Sequence, residues 1–181
     1  MKTYITTVLV LVILAMAGGL FVAFSGVANV AADQKSPHVV DWFMGTTSDH
    51  AVARRAAKIS VPDLGSVDMA REGFEHYSEM CVDCHGAPGL KRSEVAEGLN
   101  PKAPDLAVAD VPGPAEEFWV VKHGIRMTGM PAFGPTHSDA KIWDIVAFLQ
   151  RLKVMSPADY AAFVQQQAQP PEKGAEPPQE D

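Results

Sequence analysis

The residues with the most specific chemistry are Cys81, Cys84 and His85, which form the pattern Cys-x-x-Cys-His. Two thiols at this spacing can each form a thioether with one vinyl group of a haem, and the next residue then places an imidazole at the iron. An iron held in this way cycles between the ferrous and ferric states. The pattern occurs once and therefore predicts one covalent haem c and electron transfer as the function.

Two other chemistries could use the same pair of cysteines. A zinc site usually has four Cys or His ligands at recognisable spacing. The chain has only two cysteines, and its remaining histidines form no second close pair. A thioredoxin-type dithiol would follow a strand and precede a helix. Here a helical pattern precedes the cysteines and the loop-like Gly86-Ala87-Pro88-Gly89 follows them. Haem attachment is favoured, with a zinc site and a redox dithiol as the alternatives.

The overall composition limits the function further. A chain of 181 residues is long enough for one modest domain with appendages. Its 15 basic and 22 acidic residues give a net charge of −7, which argues against a general affinity for nucleic acid. No phosphate-binding glycine loop, Ser/His/Asp arrangement or internal repeat is present in the sequence. Composition and motifs therefore argue against nucleic-acid binding and add no catalytic arrangement to the attachment motif.

Residues 1–30 are dominated by an uncharged apolar run from Ile5 to Phe24. A helix of this length spans about 30 Å, the thickness of the hydrocarbon core of a bilayer. A cleaved signal peptide is the alternative, because Val30-Ala31-Ala32 fits a small-residue cleavage site, but its apolar region would be only about 7–15 residues long. The length favours a retained single-pass anchor, with the charged start at Lys2 in the cytoplasm and the rest of the chain across the membrane.

Residues 31–65 are predicted to form a connector that contains a short amphipathic helix over 49–58, with Ser48 as its N-cap. One side of this helix is small and apolar, and the other side is basic, with Arg54, Arg55 and Lys58. The basic side is a candidate contact with lipid headgroups or a partner subunit. The small, alanine-rich apolar side favours the other interpretation, a solvated helix that rests on the haem domain.

Three helices are predicted in the haem domain, residues 66–160. They cover about 66–80, 115–124 and 138–152, and the last has a strong apolar face with a period near 3.6 residues. Gly73 lies inside the first helix, where glycine costs about 1 kcal/mol relative to alanine. We therefore expect a close approach by another helix at Gly73, with the third helix as the candidate.

The C-terminal segment 161–181 is predicted to be a disordered tail. It is rich in proline and acidic residues. Such a composition buries too little apolar surface to order the chain.

With these elements in place, residues 67–155 resemble the class I c-type cytochromes, in particular membrane-anchored monohaem cytochromes of bacterial respiratory chains. The resemblance rests on an ordered set of segments: Gly73 to Tyr77, the attachment motif, Pro104-Asp105-Leu106, Thr128-Gly129-Met130-Pro131, and the helix from Trp143 to Leu152. It implies an all-α cytochrome c fold, with three or more helices around the haem and little or no sheet, here with an N-terminal transmembrane helix.

The resemblance also implies the iron ligands. The two cysteines would be the thioether anchors and His85 the proximal ligand. Met130 would be the distal ligand, because the sulfur donor of these proteins commonly precedes a proline in such a loop. A neutral thioether favours ferrous iron and raises the reduction potential, which suits an electron carrier. Met127 is the competing sulfur ligand, and His123 or His137 would give a bis-histidine site.

Two further residues are assigned through the resemblance. The backbone carbonyl of Pro104 would accept the proton of the His85 ring nitrogen that faces away from the iron, which fixes the imidazole orientation. Leu106 would pack on the porphyrin. Pro101 is the alternative to Pro104.

The resemblance implies a haem domain on the periplasmic face of a bacterial inner membrane that relays electrons between respiratory partner proteins. Five basic residues are expected near the haem edge as a collar for an acidic partner: Lys91, Arg92, Lys102, Lys122 and Arg126. An ordinary mixed surface is the alternative. Two other functions remain open: a haem subunit of a larger membrane oxidoreductase, such as a dehydrogenase or terminal oxidase, and an enzyme or gas sensor whose iron is not bound by Met130.

Overall fold

The computed structural model describes residues 1–108 and 113–168. Within these residues the regular structure is helical, and the only pairing of β type is an isolated bridge between Ala87 and Leu90. The all-α prediction is confirmed for these residues. Their helices are α1 (Lys2–Ser25), α2 (His38–Ala56), α3 (Val67–Met80), α4 (Val82–His85), α5 (Glu94–Glu97), α6 (Pro114–His123), α7 (Asp139–Leu152) and α8 (Pro157–Ala168).

The chain divides into two compact units, Met1–Ser36 and a second unit from Pro37 onward. The first unit contains α1, a helix of 24 residues with no buried residue. Its most apolar window has a mean hydropathy of 2.7, so α1 is long and apolar enough to cross a membrane. A signal sequence near the N-terminus would meet the same criterion.

The helix in the connector is longer than predicted. α2 begins after Pro37, so Ser48 lies inside the helix, and the prediction of a start at Ser48 is wrong. The reason is that proline can precede a first helical turn without losing a hydrogen bond, and no strong breaker follows it before residue 48. Val52 and Ala56 are buried, and α2 packs against α6 within the second unit. This confirms that the small apolar side of α2 rests on the domain.

The centre of the second unit is the crossing of α3 and α7. A Cβ atom at Gly73 would overlap the backbone carbonyl of Asp144 and lie 2.9 Å from the amide nitrogen of Ile145. The predicted close approach of the late helix at Gly73 is therefore confirmed. The largest fully buried side chains are Tyr77, Phe148, Ile142, Ile145, Leu152 and Val146. All six lie on α3 or α7, so the core of the unit is built at this crossing.

α8 corrects the prediction that the chain is disordered from residue 161. Residues 161–168 belong to this helix. The ring of Phe163 lies 5.2 Å from the ring of Phe74 and 5.9 Å from that of Phe148. These aromatic contacts supply the apolar burial that the composition of the segment does not indicate. The remainder of the predicted tail, 169–181, lies outside the described residues.

A buried ion pair joins α6 to the residues after α7. Glu117 is 7% exposed, and its Oε1 lies 2.6 Å from Nζ of Lys153. The amide of Gln150 donates a hydrogen bond to the other carboxylate oxygen. Burial raises the pKa of Glu117, and the interactions with Lys153 and Gln150 oppose this rise. Because the folded protein favours the protonated acid, this group contributes most to stability at low pH and loses that contribution as the pH rises through the raised pKa.

We expect Lys153→Met to lower the free energy of unfolding by about 2 kcal/mol at neutral pH, because the buried carboxylate is left without a counter-charge. The loss should shrink as the pH falls through the raised pKa of Glu117, where the protonated acid needs no counter-charge. Urea unfolding followed by circular dichroism at neutral and acidic pH measures this. In the matched control, Glu117→Gln with Lys153→Met, the pH dependence of the loss should disappear. An equal loss in the single variant at both pH values would contradict the assignment.

Candidate functional site

The two cysteines and the histidine lie where α3 passes into α4. Ser66 caps the start of α3 through its side-chain oxygen. The backbone N–H groups of Cys84 and His85 both donate to the carbonyl of Cys81, at 3.1 and 2.9 Å. Helical backbone therefore continues through the motif, and residues three and four apart lie on one side of it. This places the second cysteine and the histidine on the same side as Cys81.

The thiols are free and differ in exposure. Cys81 is buried, and Cys84 is partly exposed. Burial, with a smaller contribution from Cys84, raises the pKa of Cys81 to about 12. A thiol with such a pKa is protonated at neutral pH and is a poor nucleophile. Within residues 1–108 and 113–168, no group of three or more His, Cys, Asp or Glu side chains is placed to hold a metal ion.

His85 is buried, and its ring is held by one backbone carbonyl. The side chain is 9% exposed, and its Nδ1 lies 2.8 Å from the carbonyl oxygen of Pro104. A carbonyl only accepts hydrogen bonds, so Nδ1 carries the proton and Nε2 of the neutral ring keeps its lone pair. Burial lowers the pKa of His85, while the hydrogen bond to Pro104 opposes this. The result is a neutral imidazole with Nε2 available as a metal ligand.

The two methionines in the loop 125–135 differ in how far their side chains are buried. Met130 is partly buried and packs against the hydrophobic core. Met127 is 80% exposed. The hydroxyl of Thr128 donates to the carbonyl of Ile125 at 2.7 Å and accepts from the N–H of Met130 at 3.1 Å. The loop is therefore tied across itself in a way that keeps Met130 against the core and Met127 in solvent.

Two glycines allow this loop to pack against the end of α6. A Cβ at Gly124, whose φ is 64°, would lie 2.7 Å from the carbonyl oxygen of Met130. A Cβ at Gly134 would lie 2.8 Å from the carbonyl oxygen of Lys122, and the N–H of Gly134 donates to that same oxygen at 2.9 Å. Only residues without a Cβ fit so close to backbone atoms. The position of Met130 is thus set by backbone contacts on both sides of it.

The two histidines considered as alternative ligands have contacts of their own. The ring of His123 is exposed and lies 4.9 Å from the ring of Trp119. The ring of His137 lies 5.3 Å from that of His76, and its Nδ1 is 2.9 Å from the hydroxyl of Thr136. His123 is thus in solvent, whereas His137 is partly buried, with its ring 5.6 Å from that of Phe133.

One comparison with known proteins covers the segment that contains these residues. Residues 68–149 match the model of the family described as cytochrome C oxidase, cbb3-type, subunit III. The match runs from α3 into α7, so it includes the attachment motif and the loops of Pro104 and Met130. It leaves α1, α2 and α8 outside. No curated protein matches the chain.

The matched segment is a c-type cytochrome domain. Such a domain implies covalently bound haem c, electron transfer and redox partner proteins. The donors present in the structure fit that cofactor: two free thiols in one helical turn, a neutral imidazole with its proton on Nδ1, and a thioether held in a structured loop. Leu106, which is partly buried against the core, lies in the same loop as the histidine's acceptor.

Sequence analysis missed two residues that support the histidine of the cytochrome domain. The fully buried Tyr77 donates a hydrogen bond from its hydroxyl to the carbonyl of Gly86, the residue after His85. Arg92 donates from Nη1 to the carbonyl of Ala103 at 2.6 Å, one residue before Pro104. The spacing of Tyr77 from the motif is part of the resemblance in the sequence. Its hydrogen bond to the carbonyl of Gly86, however, depends on how the chain turns after the motif.

Some of the residues in the basic collar predicted around the haem edge are already bound to other groups of the chain. Lys102 pairs with Glu97 at 3.4 Å, and Lys122 pairs with Asp139 at 2.6 Å. Arg92 is engaged with the backbone, while Lys91 and Arg126 are exposed. These pairs favour the mixed surface over a continuous basic collar.

We expect Arg92→Ala to loosen the loop that holds the histidine's acceptor, because Ala103 loses its hydrogen bond. A charge-assisted bond of this kind contributes about 1.5–3 kcal/mol, so exchange of the His85 Nδ1 proton with solvent should be faster by about tenfold. Hydrogen exchange followed by NMR on the haem-loaded protein measures this. Arg126→Ala, which removes an exposed arginine, is the matched control and should leave the exchange rate unchanged. Equal rates in Arg92→Ala and wild type would remove Arg92 from this role.

Proposed function

We propose that the cytochrome domain carries one haem c, which Cys81 and Cys84 would hold through thioethers and whose iron His85 and Met130 would bind. The observation that carries the proposal is the buried, neutral His85 ring, whose Nδ1 donates to Pro104. When bound, the haem supplies an iron that accepts and releases one electron. The packing of Met130 against the core, in contrast to the exposed Met127, supports the choice of the sixth ligand.

The side chains around the site have separate tasks in this proposal. The carbonyl of Pro104 keeps the proton on Nδ1 and fixes the ring orientation, which raises the donor strength of Nε2. The Met130 thioether, a neutral donor, favours the ferrous state. Leu106 would pack against the haem and help to exclude water. With His85 and Met130 both holding the iron, the site would leave no place for a substrate and would serve as an electron carrier.

The cytochrome domain is proposed to work at the periplasmic face of a bacterial inner membrane, held there by α1 as a retained single-pass anchor. The support is the length and composition of α1, which has 24 residues and a mean hydropathy of 2.7 in its most apolar window. Electrons would pass between respiratory partners on that face. Intact mass of the protein purified from membranes tests the anchor, because a cleaved signal peptide would remove α1.

A second candidate is a haem subunit of a larger membrane oxidoreductase. It is favoured by the matched family, which is described as a subunit of a cbb3-type cytochrome c oxidase. Extraction in mild detergent followed by native gel electrophoresis separates the two candidates. A single small haem protein supports the independent carrier, and a stable assembly with larger subunits supports the alternative.

The experiment that tests the proposed haem is the alkaline pyridine spectrum, with haem quantified against protein. One haem per chain should remain attached after denaturation. Cys81→Ser with Cys84→Ser is the control and should lose the covalent attachment. A colourless wild-type protein would overturn the proposal. Rapid binding of carbon monoxide to the reduced wild-type protein would overturn the His85/Met130 ligation and favour an open-site enzyme or gas sensor.

A further inference from the structure

The first half of α2 exposes a group of large apolar side chains. Their exposed fractions lie between 47% and 65%, and the residues are Val39, Val40, Phe43 and Met44. We call this group the α2 apolar patch. A continuous exposed patch of this kind marks an interaction surface more often than a solvated one.

The α2 apolar patch faces away from the domain that α2 rests on. The second half of α2 packs through Val52 and Ala56. At 3.6 residues per turn, Val39, Val40, Phe43 and Met44 centre on the opposite side of the helix, whereas Trp42 falls on the half that faces the domain. The helices of the second unit therefore cannot cover the patch while Val52 and Ala56 stay buried.

The same side of α2 becomes basic toward its C-terminal end. It carries His50 and the exposed Arg54, while Asp41 and Asp49 fall on the half that faces the domain. One side of the helix thus combines aliphatic and aromatic residues with a positive charge and lacks acidic residues. This is the composition of helices that lie in the interface of anionic membranes.

The linker between α1 and α2 is short. α1 ends at Ser25 and α2 begins at His38. The intervening residues 26–37, even when fully extended, reach only about 40 Å. A membrane that α1 crosses is therefore within reach of the start of α2, whatever path the intervening chain takes.

We propose that the α2 apolar patch lies in the headgroup region of the membrane that α1 crosses, with Arg54 against anionic lipid headgroups. The cytochrome domain is then held at the membrane surface by two elements. It does not move freely on a tether. This inference rests on the retained anchor in the proposed function, and it is independent of the axial ligands of the iron.

Photocrosslinking in lipid bilayers tests the proposal. Phe43 is replaced by benzoylphenylalanine in the full haem-loaded chain, which is reconstituted in liposomes of phosphatidylethanolamine and phosphatidylglycerol and irradiated. Mass spectrometry should find lipid adducts on the peptide that contains position 43. The matched control carries the same probe at Val95, which is 74% exposed on α5, and should give no lipid adduct. Crosslinks from position 43 to protein or to a second copy, without lipid adducts, would overturn the inference.

A second set of variants separates membrane contact from misfolding. With the probe at Val40, the double change Val39→Asp with Phe43→Asp should lower the yield of lipid adducts by about tenfold, because buried carboxylates are unfavourable in the interface and repel anionic lipid. An unchanged haem spectrum shows that the domain is intact, and intact mass shows that α1 is retained. Retained α1 and haem with an unchanged adduct yield would overturn the role of the patch and leave the proposed function standing. Absence of α1 or of haem from the wild-type protein would instead contradict the proposed function.

Discussion

Met130→Ala should keep the covalent haem but lose the sixth ligand of the iron. The absorption that comes from sulfur ligation should disappear, and the reduced protein should bind carbon monoxide rapidly. The reduction potential should fall by an amount on the order of a hundred millivolts, because the neutral thioether that favours ferrous iron is gone. Absorption spectra of both redox states and a potentiometric titration measure these changes.

Met127→Ala is the matched control for this prediction. Met127 lies three residues earlier in the same loop but is 80% exposed, whereas Met130 packs against the core. The control should therefore keep the spectrum and potential of the wild type. If Met130→Ala keeps the wild-type sulfur absorption, or if Met127→Ala loses it, the sulfur ligand is Met127 and not Met130.

Gly73→Ala should destabilise the cytochrome domain by about 3 kcal/mol, at the upper end of what overpacking usually costs. The added Cβ would overlap the carbonyl of Asp144, which is backbone and cannot rotate away like a side chain. α3 and α7 would have to separate, and the contacts of the buried Tyr77 and Ile145 would weaken. Thermal unfolding followed by far-ultraviolet circular dichroism and by haem absorption measures the loss.

Gly45→Ala is the control for the glycine substitution itself. Gly45 also lies inside a helix, but nothing lies within 4 Å of a Cβ added there. The change should stabilise the protein by about 0.5–1 kcal/mol, because alanine loses less conformational freedom than glycine when a helix forms. Gly73→Ala and Gly45→Ala should thus have opposite signs. If both changes stabilise the protein, the crossing at Gly73 is not as tight as the structure indicates.

Much of the site could be predicted because its chemistry is local in sequence. Cys81, Cys84 and His85 lie within one stretch of five residues, so their spacing alone indicates the cofactor. The helices predicted at 66–80, 115–124 and 138–152 agree closely with α3, α6 and α7. Each of these helices has residues typical of a helix start or end, or an apolar repeat, and both can be recognised from the local sequence alone.

Other parts of the prediction were wrong or left open because they depend on contacts between distant residues. Residues 161–168 are helical since Phe163 reaches Phe74, which is far away in the sequence. Pro104, and not Pro101, accepts the hydrogen bond of His85 because the backbone turns after the motif and is held there by Arg92. Neither contact leaves a periodic signal in the sequence.

The sequence by itself determined the attachment motif, the long apolar α1 and the three principal helices, because spacing and periodicity are properties of short stretches. Only the tertiary structure showed that Met130 packs against the core while Met127 is exposed, and it alone placed the carbonyl of Pro104 beside the histidine. Both depend on which backbone atoms pack together once α3 and α7 cross, and such packing links residues that no local pattern connects.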